Sequence, residues 1–181
     1  MGSELHIAAW TADDSASASI DAVFAEFERL ERLMSVWRDG SDIRRLNAAA
    51  GRQPVPISGD VLAVLHDAHQ ISEWTGGKFD VTFGVLSDLW RFDHDQDNRV
   101  PDMIEVRRRL PLIDYRSLQL DDAAGTAFLR MAGMRVHLGG IGKGYAIDSG
   151  ARILRAHDIR DFMCRRYPEG AKCSPAGYAP G

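Results

Sequence analysis

The chain carries the sequence GGIGKGYAID at residues 139–148. The segment RVHL at residues 135–138 precedes it and is predicted to form a strand, and a helical pattern of apolar residues follows it. Glycines at a strand-to-helix junction let backbone N–H groups approach a phosphate closely at the helix N-terminus. We therefore predict an anion-binding turn to which Lys143 adds a positive charge. The alternative is a tight turn in which Lys143 is an ordinary surface charge.

The residue order in this stretch differs from two common nucleotide-binding motifs. The dinucleotide fingerprint has the order G-x-G-x-x-G with an acidic residue downstream, and the P-loop has the order G-x-x-x-x-G-K-[ST]. Here Lys143 is followed by Gly144 and not by Ser or Thr. The pattern argues against both the Rossmann and the Walker interpretation.

Composition indicates a globular protein with one core and argues against several classes. The 181 residues are 45% hydrophobic and 27% charged, and a net charge of -4 gives no broad positive field for nucleic acid. No apolar run approaches the ~18 residues that a membrane helix needs. Two cysteines, Cys164 and Cys173, suggest neither a disulfide scaffold nor a zinc site. We expect no nucleic-acid partner and no membrane span.

The order of the predicted elements favours an α+β fold. Apolar residues at spacings of three and four predict a long helix over residues 20–34. A second helix is predicted from its N-cap Ser58 to the glycine pair at residues 76–77. Further predicted elements are a strand at residues 5–10, a turn capped by Ser41, a helix carrying the solvated basic cluster 107–109, and a hairpin at residues 118–131.

A second informative segment reads TGGKFDVTFG at residues 75–84 and is followed by LWRF at residues 89–92. Small, aromatic and acidic residues after a helix end can hold a planar ring and a hydroxyl-bearing chain. The alternative is a glycine cap leading into a half-buried strand, with Trp90 and Phe92 in the core and Asp80 accepting hydrogen bonds from nearby backbone N–H groups.

A third segment, MSVW at residues 34–37, places Trp37 just after the long predicted helix. An indole ring at this place can stack on an aromatic ligand. Taken alone, an aromatic residue at this place is more often packed in the core.

These three segments, together with MGS at residues 1–3, resemble the ApbE family of FAD:protein FMN transferases. The similarity is collinear from residue 1 to about Met163. The family order comprises an M-G-T strand, a helix ending in serine and an aromatic, an S-x-x-x-x-x-N turn, a G-G-x-F-D-x-T loop, an L-W-x-F stretch and an L-G-G-I-x-K-G-Y-x-x-D turn. The resemblance implies an ApbE-like mixed α and β fold that is incomplete at its C-terminus.

The resemblance also implies a reaction and a set of site residues. Family members transfer the FMN half of FAD to a Ser or Thr hydroxyl of a target protein, with release of AMP and help from Mg2+. The partners implied are FAD and a flavin-accepting protein. The FAD contacts implied by position are Met1, Trp37, Lys78, Phe79, Asp80, His137 and Lys143.

Three positions refine this set. The backbone carbonyl of Gly140 matches a metal-holding position, which suits Mg2+ because it prefers oxygen ligands. Trp37 replaces a more usual tyrosine and keeps a stacking surface. His137 stands where the family commonly has an acidic residue, so its charge depends on pH.

The last residues depart from the family pattern. We place the family domain at residues 1–163 and a Pro- and Gly-rich, disordered tail at residues 164–181. The family's G-G-D turn, H-x-I-D-P-x-T-G segment and D-x-x-x-T metal ligands are not found, so the catalytic residues are unassigned. We expect a frameshift or premature stop that removes the side-chain Mg2+ ligands and the base for the acceptor hydroxyl and impairs the activity of this chain. Alternative functions are a flavin-binding remnant or an FAD pyrophosphatase. With no signal peptide in the first residues, a cytoplasmic location is expected, although family members often work outside the membrane.

Overall fold

The computed structural model describes residues 3–11, 16–90 and 100–168. Helices account for most of the regular structure in these ranges and are α1 Ala16–Met34, α2 Asp42–Ala48, α3 Gly59–Trp74, α4 Met103–Arg109 and α5 Gly142–Ala156. Short 3-10 turns lie at Gly84–Leu86, Leu110–Leu112 and Tyr115–Ser117. The named strands pair only in antiparallel fashion, which confirms the predicted α+β class.

The strands form two small antiparallel sheets. In the first sheet, β1 (Ser3–Ala9) pairs with β5 (Phe162–Pro168). The second sheet has the order β2-β4-β3, with β2 at Val55–Pro56, β4 at Thr126–Leu129 and β3 at Leu118–Asp121. The hairpin predicted at residues 118–131 is therefore confirmed, since β3 and β4 are its two strands.

Two sequence predictions about strands need correction. Residues 135–138 form no strand, because their backbone groups bond to a loop and to a side chain, and the segment contributes one parallel bridge between Arg135 and Phe83. Residues 164–168 were assigned to a disordered tail, but they continue β5 to Pro168. They are ordered because each of them lies opposite a residue of β1. Residues 169–181 lie outside the described residues.

The core lies between α1, α3, α5 and the β3-β4 hairpin. Helix α1 turns Val23, Phe27, Leu30 and Met34 inward, which confirms the spacing read from the sequence, whereas Phe24 is nearly half exposed. The largest fully buried side chains are Leu30, Ile43, Leu46, Leu65, Leu129, Met134 and Leu154. Burial of each such side chain stabilises the fold by about 2 kcal/mol.

The predicted helix ends are confirmed in detail. Ser41 caps α2 by accepting a hydrogen bond from the Arg44 N–H at 3.0 Å, and Ser58 caps α3 by accepting one from the Val61 N–H at 3.3 Å. Gly76 and Gly77, with φ of +62° and +80°, turn the chain out of α3, and the Gly77 N–H donates to the Ser72 carbonyl at 2.8 Å. These caps set the direction in which residues 78–84 leave the helix.

The basic cluster at residues 107–109 forms the last turn of α4. Arg107 and Arg108 are exposed, as expected for a solvated face. Arg109 is not: its guanidinium bonds to Asp88 at 2.5 Å and to the Val85 carbonyl at 2.9 Å. One of the three arginines therefore joins α4 to the loop after residue 84.

A chain of polar contacts joins α1, α3 and α5. Arg29 donates two hydrogen bonds to Glu26, at 2.7 and 2.8 Å, and a third to Asp60 at 2.8 Å. The Tyr145 hydroxyl donates to Asp60 at 2.9 Å, and the Ser149 hydroxyl donates to Glu26 at 2.9 Å. We call these five residues the three-helix network.

The three-helix network predicts a loss of stability in acid. Hydrogen bonds from Arg29 lower the pKa of both Glu26 and Asp60 in the folded chain. As the pH falls below about 4.5, the unfolded chain takes up protons first, so the stabilisation is present above that pH and is lost as the pH falls through the folded-state pKa values. Urea unfolding should show that Arg29→Met destabilises the protein more at about pH 7 than at about pH 3. An equal effect at both pH values would contradict this linkage.

Candidate functional site

Three rings form an exposed aromatic wall. The His137 ring lies edge-on to Trp37, with ring centres 5.6 Å apart, and the Phe83 ring centre is 5.5 Å from that of His137. Trp37 is 64% exposed and Phe83 is 40% exposed. Large apolar rings left at the surface beside one another are typical of a binding surface and not of a core. The core-packing alternative for Trp37 is therefore wrong.

Asn47 positions the segment that carries His137. Its side-chain amide donates to the Val136 carbonyl at 3.0 Å and its Oδ1 accepts from the Val136 N–H at 2.7 Å. The His137 N–H donates to the Val81 carbonyl at 2.9 Å. One amide side chain thus replaces a neighbouring strand for Val136. The sequence did not indicate this role, although Asn47 ends the S-x-x-x-x-x-N turn that Ser41 begins.

The glycine turn at residues 139–142 lies directly against the aromatic wall. A Cβ atom on Gly139 would come within 2.6 Å of the His137 ring, and one on Gly140 would come within 3.3 Å of the Phe79 ring. The Gly139 N–H donates to His137 Nδ1 at 3.0 Å. A side chain at residue 139 would displace the His137 ring, and one at residue 140 would displace the Phe79 ring. Close contact with these two rings therefore explains both glycines.

Helix α5 begins with uncapped backbone donors. Its N-cap residue Ile141 makes no side-chain cap, and the Ile141 and Gly142 N–H groups bond back to the Leu138 carbonyl. Within the described ranges, no group accepts a hydrogen bond from the N–H of Lys143 or Gly144. A helix N-terminus with open N–H groups carries partial positive charge and attracts anions. The local geometry is that of an anion-binding turn.

Two lysines flank the turn. Lys78 precedes Phe79, whose ring contacts Gly140, and Lys143 is the second residue of α5. Both side chains are exposed, and neither ammonium group forms an ion pair with another part of the chain that the structure describes. Their charges are thus available to an external anion.

Two clefts border these features. A cleft of about 420 Å³ lies behind Trp37 and includes Arg44, Asp88 and Arg135. A second cleft of about 360 Å³ runs along α3 to the glycine turn and includes Trp74 and the turn residue Gly140. Trp37 of the aromatic wall lines the first cleft and Gly140 of the glycine turn lines the second, so each feature borders its own concave surface.

Comparison with protein families decides what this arrangement is. The model of the ApbE family matches residues 1–165, which cover both the aromatic wall and the glycine turn. The chain belongs to the ApbE family. That result, obtained without reference to geometry, agrees with the motif order seen in the sequence.

Curated relatives and solved structures agree with the ApbE assignment. The chain is 32% identical over 163 residues to an FAD:protein FMN transferase of Klebsiella pneumoniae (strain 342), covering 90% of this chain and 50% of that protein. It is 33% identical over 147 residues to one of Treponema pallidum (strain Nichols), covering 78% and 40%. The flavin transferase ApbE from Vibrio cholerae superposes with a TM-score of 0.81 at 25% identity over 91% of this chain and 54% of that one. The chain thus spans about half the length of its relatives.

Asp80, implied as an FAD contact by the ApbE resemblance, has a structural role in the described chain. Its Oδ1 accepts from the Thr82 N–H at 2.8 Å and from the Thr82 hydroxyl at 2.6 Å, and its Oδ2 accepts from the Tyr115 N–H at 2.9 Å. The alternative reading of Asp80 as a backbone acceptor is therefore confirmed. Contact between Asp80 and FAD stays a prediction, and any such contact would have to share these oxygens.

Substitution of Asp80 should destabilise the loop that supports the wall. Asp80→Asn places an amide N–H against either Thr82 or the Tyr115 N–H and leaves a partly buried donor without an acceptor. We expect a loss of about 2 kcal/mol in the free energy of unfolding, measured by urea titration. Asp67→Asn, at an exposed position on α3, is the matched control and should change stability by less than about 0.5 kcal/mol. Equal stability of the two variants would contradict the structural role of Asp80.

Of the remaining predicted positions, some lie within the described residues and others do not. Met1 and Phe92 lie outside the described residues, and Trp90 is half-buried. The Gly140 carbonyl accepts no hydrogen bond from the described residues, which leaves its oxygen open to a ligand. No group of three His, Cys, Asp or Glu side chains able to hold a metal occurs in the described part of the chain.

Phe83 belongs to the wall but was not singled out from the sequence. It stands in the segment at residues 75–84 that was read as a ring-binding loop, so its residue type and place were a usable signal. No helix within the described ranges is long and apolar enough to cross a membrane.

Proposed function

We propose that this ApbE-family chain takes part in FAD:protein FMN transfer, in which the FMN half of FAD passes to a Ser or Thr hydroxyl of a target protein and AMP is released. The observation that carries the proposal is the contact between an exposed aromatic wall and an uncapped glycine turn. A flavin nucleotide has the two matching parts, a planar ring and a pyrophosphate. The proteins named as relatives are FAD:protein FMN transferases.

Binding would follow from the chemistry of the two surfaces. A ring stacked on Trp37 or His137 gains about 1 kcal/mol beyond the burial of its area. A phosphate at the start of α5 would accept hydrogen bonds from the Lys143 and Gly144 N–H groups, and hydrogen bonds to a charged group contribute about 1.5–3 kcal/mol each. The Lys78 and Lys143 ammonium groups would neutralise part of the pyrophosphate charge.

The transfer step exchanges one P–O bond for another. The acceptor hydroxyl oxygen bonds to the phosphorus on the FMN side, the bond from that phosphorus to the bridging oxygen breaks, and AMP leaves with the bridging oxygen. The hydroxyl proton passes to a base that the described residues do not identify. Lys143 and the N-terminus of α5 would stabilise the charge on the transferred phosphoryl oxygens, which is the main contribution a protein makes in this chemistry.

The metal part of the proposal rests on one open oxygen. Mg2+ prefers oxygen ligands, keeps several waters and commonly binds substrate phosphates, so one carbonyl such as that of Gly140 is a reasonable protein ligand. Bound there, Mg2+ would supply charge neutralisation at the pyrophosphate. The Asp80 oxygens already accept three hydrogen bonds and fit a metal site less well.

A transfer assay distinguishes the proposal from its two alternatives. The 181-residue chain is incubated with FAD, Mg2+ and a peptide library that has a fixed central Thr, and peptides carrying FMN are counted by mass spectrometry. A library with central Val is the control. FMN on the Thr peptides together with AMP supports the proposal. AMP and FMN without modified peptide would replace it with FAD hydrolysis, and FAD binding without AMP would replace it with flavin binding alone.

Gly144→Ala tests whether the start of α5 faces a ligand. A Cβ at Gly144 would meet no atom within 4 Å, so the protein alone gives no reason for glycine. Alanine should raise the free energy of unfolding by about 0.5 kcal/mol. If a phosphate approaches this backbone closely, the same change should weaken FAD binding at least about fivefold. Gly59→Ala, at the start of α3 with the same open space, should leave FAD affinity unchanged. Equal FAD affinities of the two variants would contradict phosphate binding here.

A further inference from the structure

Tyr145 connects the glycine turn to helix α3. It is the fourth residue of α5, one helical turn after Ile141, and its hydroxyl donates to Asp60 Oδ1 at 2.9 Å. Asp60 is the second residue of α3 and its side chain is three-quarters buried. The bond therefore links the first turns of α5 and α3 at a place partly shielded from water.

Asp60 is itself held in place. Its other oxygen accepts a hydrogen bond from Arg29 at 2.8 Å. Arg29 donates its two other hydrogen bonds to Glu26, which also lies on α1. Asp60 also lies in the first turn of α3, where the helix dipole favours a negative charge. The acceptor for the Tyr145 hydroxyl is thus oriented from α1 and from α3 at once.

The direction of this hydrogen bond is settled by charge. Burial, followed by the hydrogen bond to Asp60, raises the pKa of Tyr145, so the hydroxyl keeps its proton and is the donor. The hydrogen bond from Arg29 lowers the pKa of Asp60, so the carboxylate stays ionised and is the acceptor. A hydroxyl donating to a carboxylate is a charge-assisted bond and stronger than a neutral one.

The start of α5 needs an external support of this kind. It has no side-chain cap, and its first three residues are Gly142, Lys143 and Gly144. Glycines in a helix cost conformational entropy, so this turn has little rigidity of its own. The Ile141 and Gly142 N–H bonds to the Leu138 carbonyl define the turn, and Tyr145 is the first side chain after them that reaches another helix through a hydrogen bond.

We propose that Tyr145, through its bond to Asp60, is a positioning residue that holds the glycine turn in the geometry that receives the FAD pyrophosphate. The positioning of FAD rests on the proposed function; the tether itself does not. Tyr145 would not touch the reacting atoms. It would act by limiting the motion of the backbone donors at residues 140–144.

The test combines a readout without FAD and a readout with it. Tyr145→Phe keeps the ring and removes the hydroxyl. In the full 181-residue chain without FAD, we expect amide hydrogen exchange at Ile141 and Gly142 to accelerate about tenfold. This is the fold-change expected when local opening no longer breaks one hydrogen bond to a charged group. The dissociation constant for FAD should rise by about the same factor. Asp60→Ala should have the same two effects. In the double variant, the fold-change in exchange rate and in dissociation constant should be much smaller than the product of the two single-variant fold-changes.

Ser149→Ala is the matched control. It removes a hydroxyl bond of the same three-helix network, to Glu26, one turn further from the glycine turn. It should leave exchange at Ile141 and Gly142 and FAD affinity within about twofold of the parent.

Each outcome decides the proposal. Faster exchange together with weaker FAD binding in Tyr145→Phe supports it, and parent-like exchange or parent-like affinity overturns it. An equal effect of Ser149→Ala would also overturn it, because the role would then be general stabilisation. If the parent chain binds no FAD, the proposed function fails, and exchange at Ile141 and Gly142 alone decides whether the tether exists.

Discussion

Gly84→Ala is expected to lower the free energy of unfolding by about 3 kcal/mol, the upper part of the usual range for overpacking. A Cβ on Gly84 would lie 2.6 Å from the Arg135 carbonyl oxygen and 2.9 Å from the Val136 carbonyl carbon. Both obstacles are backbone, so neither can move aside by changing a rotamer. The strain would act on the bridge between Phe83 and Arg135, and Arg135 lies two residues before His137. Urea unfolding measures the loss.

The same variant should damage the candidate site as well as the fold. Because Phe83 and His137 are two of the three rings in the aromatic wall, displacement of residues 135–137 should separate them and weaken flavin stacking. Gly59→Ala is the control for the added methyl group, since a Cβ there meets nothing within 4 Å. A Gly84→Ala protein as stable as the parent would show that the two backbone segments do not approach this closely.

Lys143→Ala should reduce FMN transfer about 100-fold, in line with removal of a charged partner of a phosphoryl group. Lys143 is exposed and has no ion-pair partner among the described residues, so its loss should leave the melting temperature nearly unchanged. The measurement is the initial rate of peptide modification at saturating FAD, with the FAD dissociation constant measured separately. A lower rate with little change in stability would assign the lysine to the reaction.

Two further variants sharpen the Lys143 result. Lys143→Arg keeps the charge but changes its geometry and should recover part of the rate. Arg130→Ala removes an exposed positive charge after strand β4, and it should not affect transfer. If Arg130→Ala were as slow as Lys143→Ala, the effect would come from net charge and not from a contact at the glycine turn.

Local signals account for what could be predicted. The Ser41 and Ser58 caps, the glycine end of α3 and the β3-β4 hairpin each depend on residues within a few positions of one another. The motif order that indicated the ApbE family is likewise a set of short segments. Elements of this kind form wherever their local residues permit.

Long-range contacts explain the features of the fold and the site that could not be predicted from the sequence. Asn47 and Val136 are 89 positions apart, and Tyr145 and Asp60 are 85 apart, so nothing in the spacing brings them together. Residues 135–138 were predicted to form a strand, but Val136 bonds to the Asn47 side-chain amide instead of a neighbouring strand. Residues 164–168 show the opposite case, because pairing with β1 orders a segment whose composition suggested disorder.

We propose that flavin binds where the aromatic wall meets the glycine turn. Amide NMR spectra of the isotopically labelled 181-residue chain, recorded during titration with FAD and Mg2+, test it most directly. We expect saturable shifts concentrated at Trp37, at residues 77–79 and at residues 137–145, and we expect them to be lost in a Trp37→Ala, Lys143→Ala double variant. Saturable shifts elsewhere, with these residues unmoved, would contradict it.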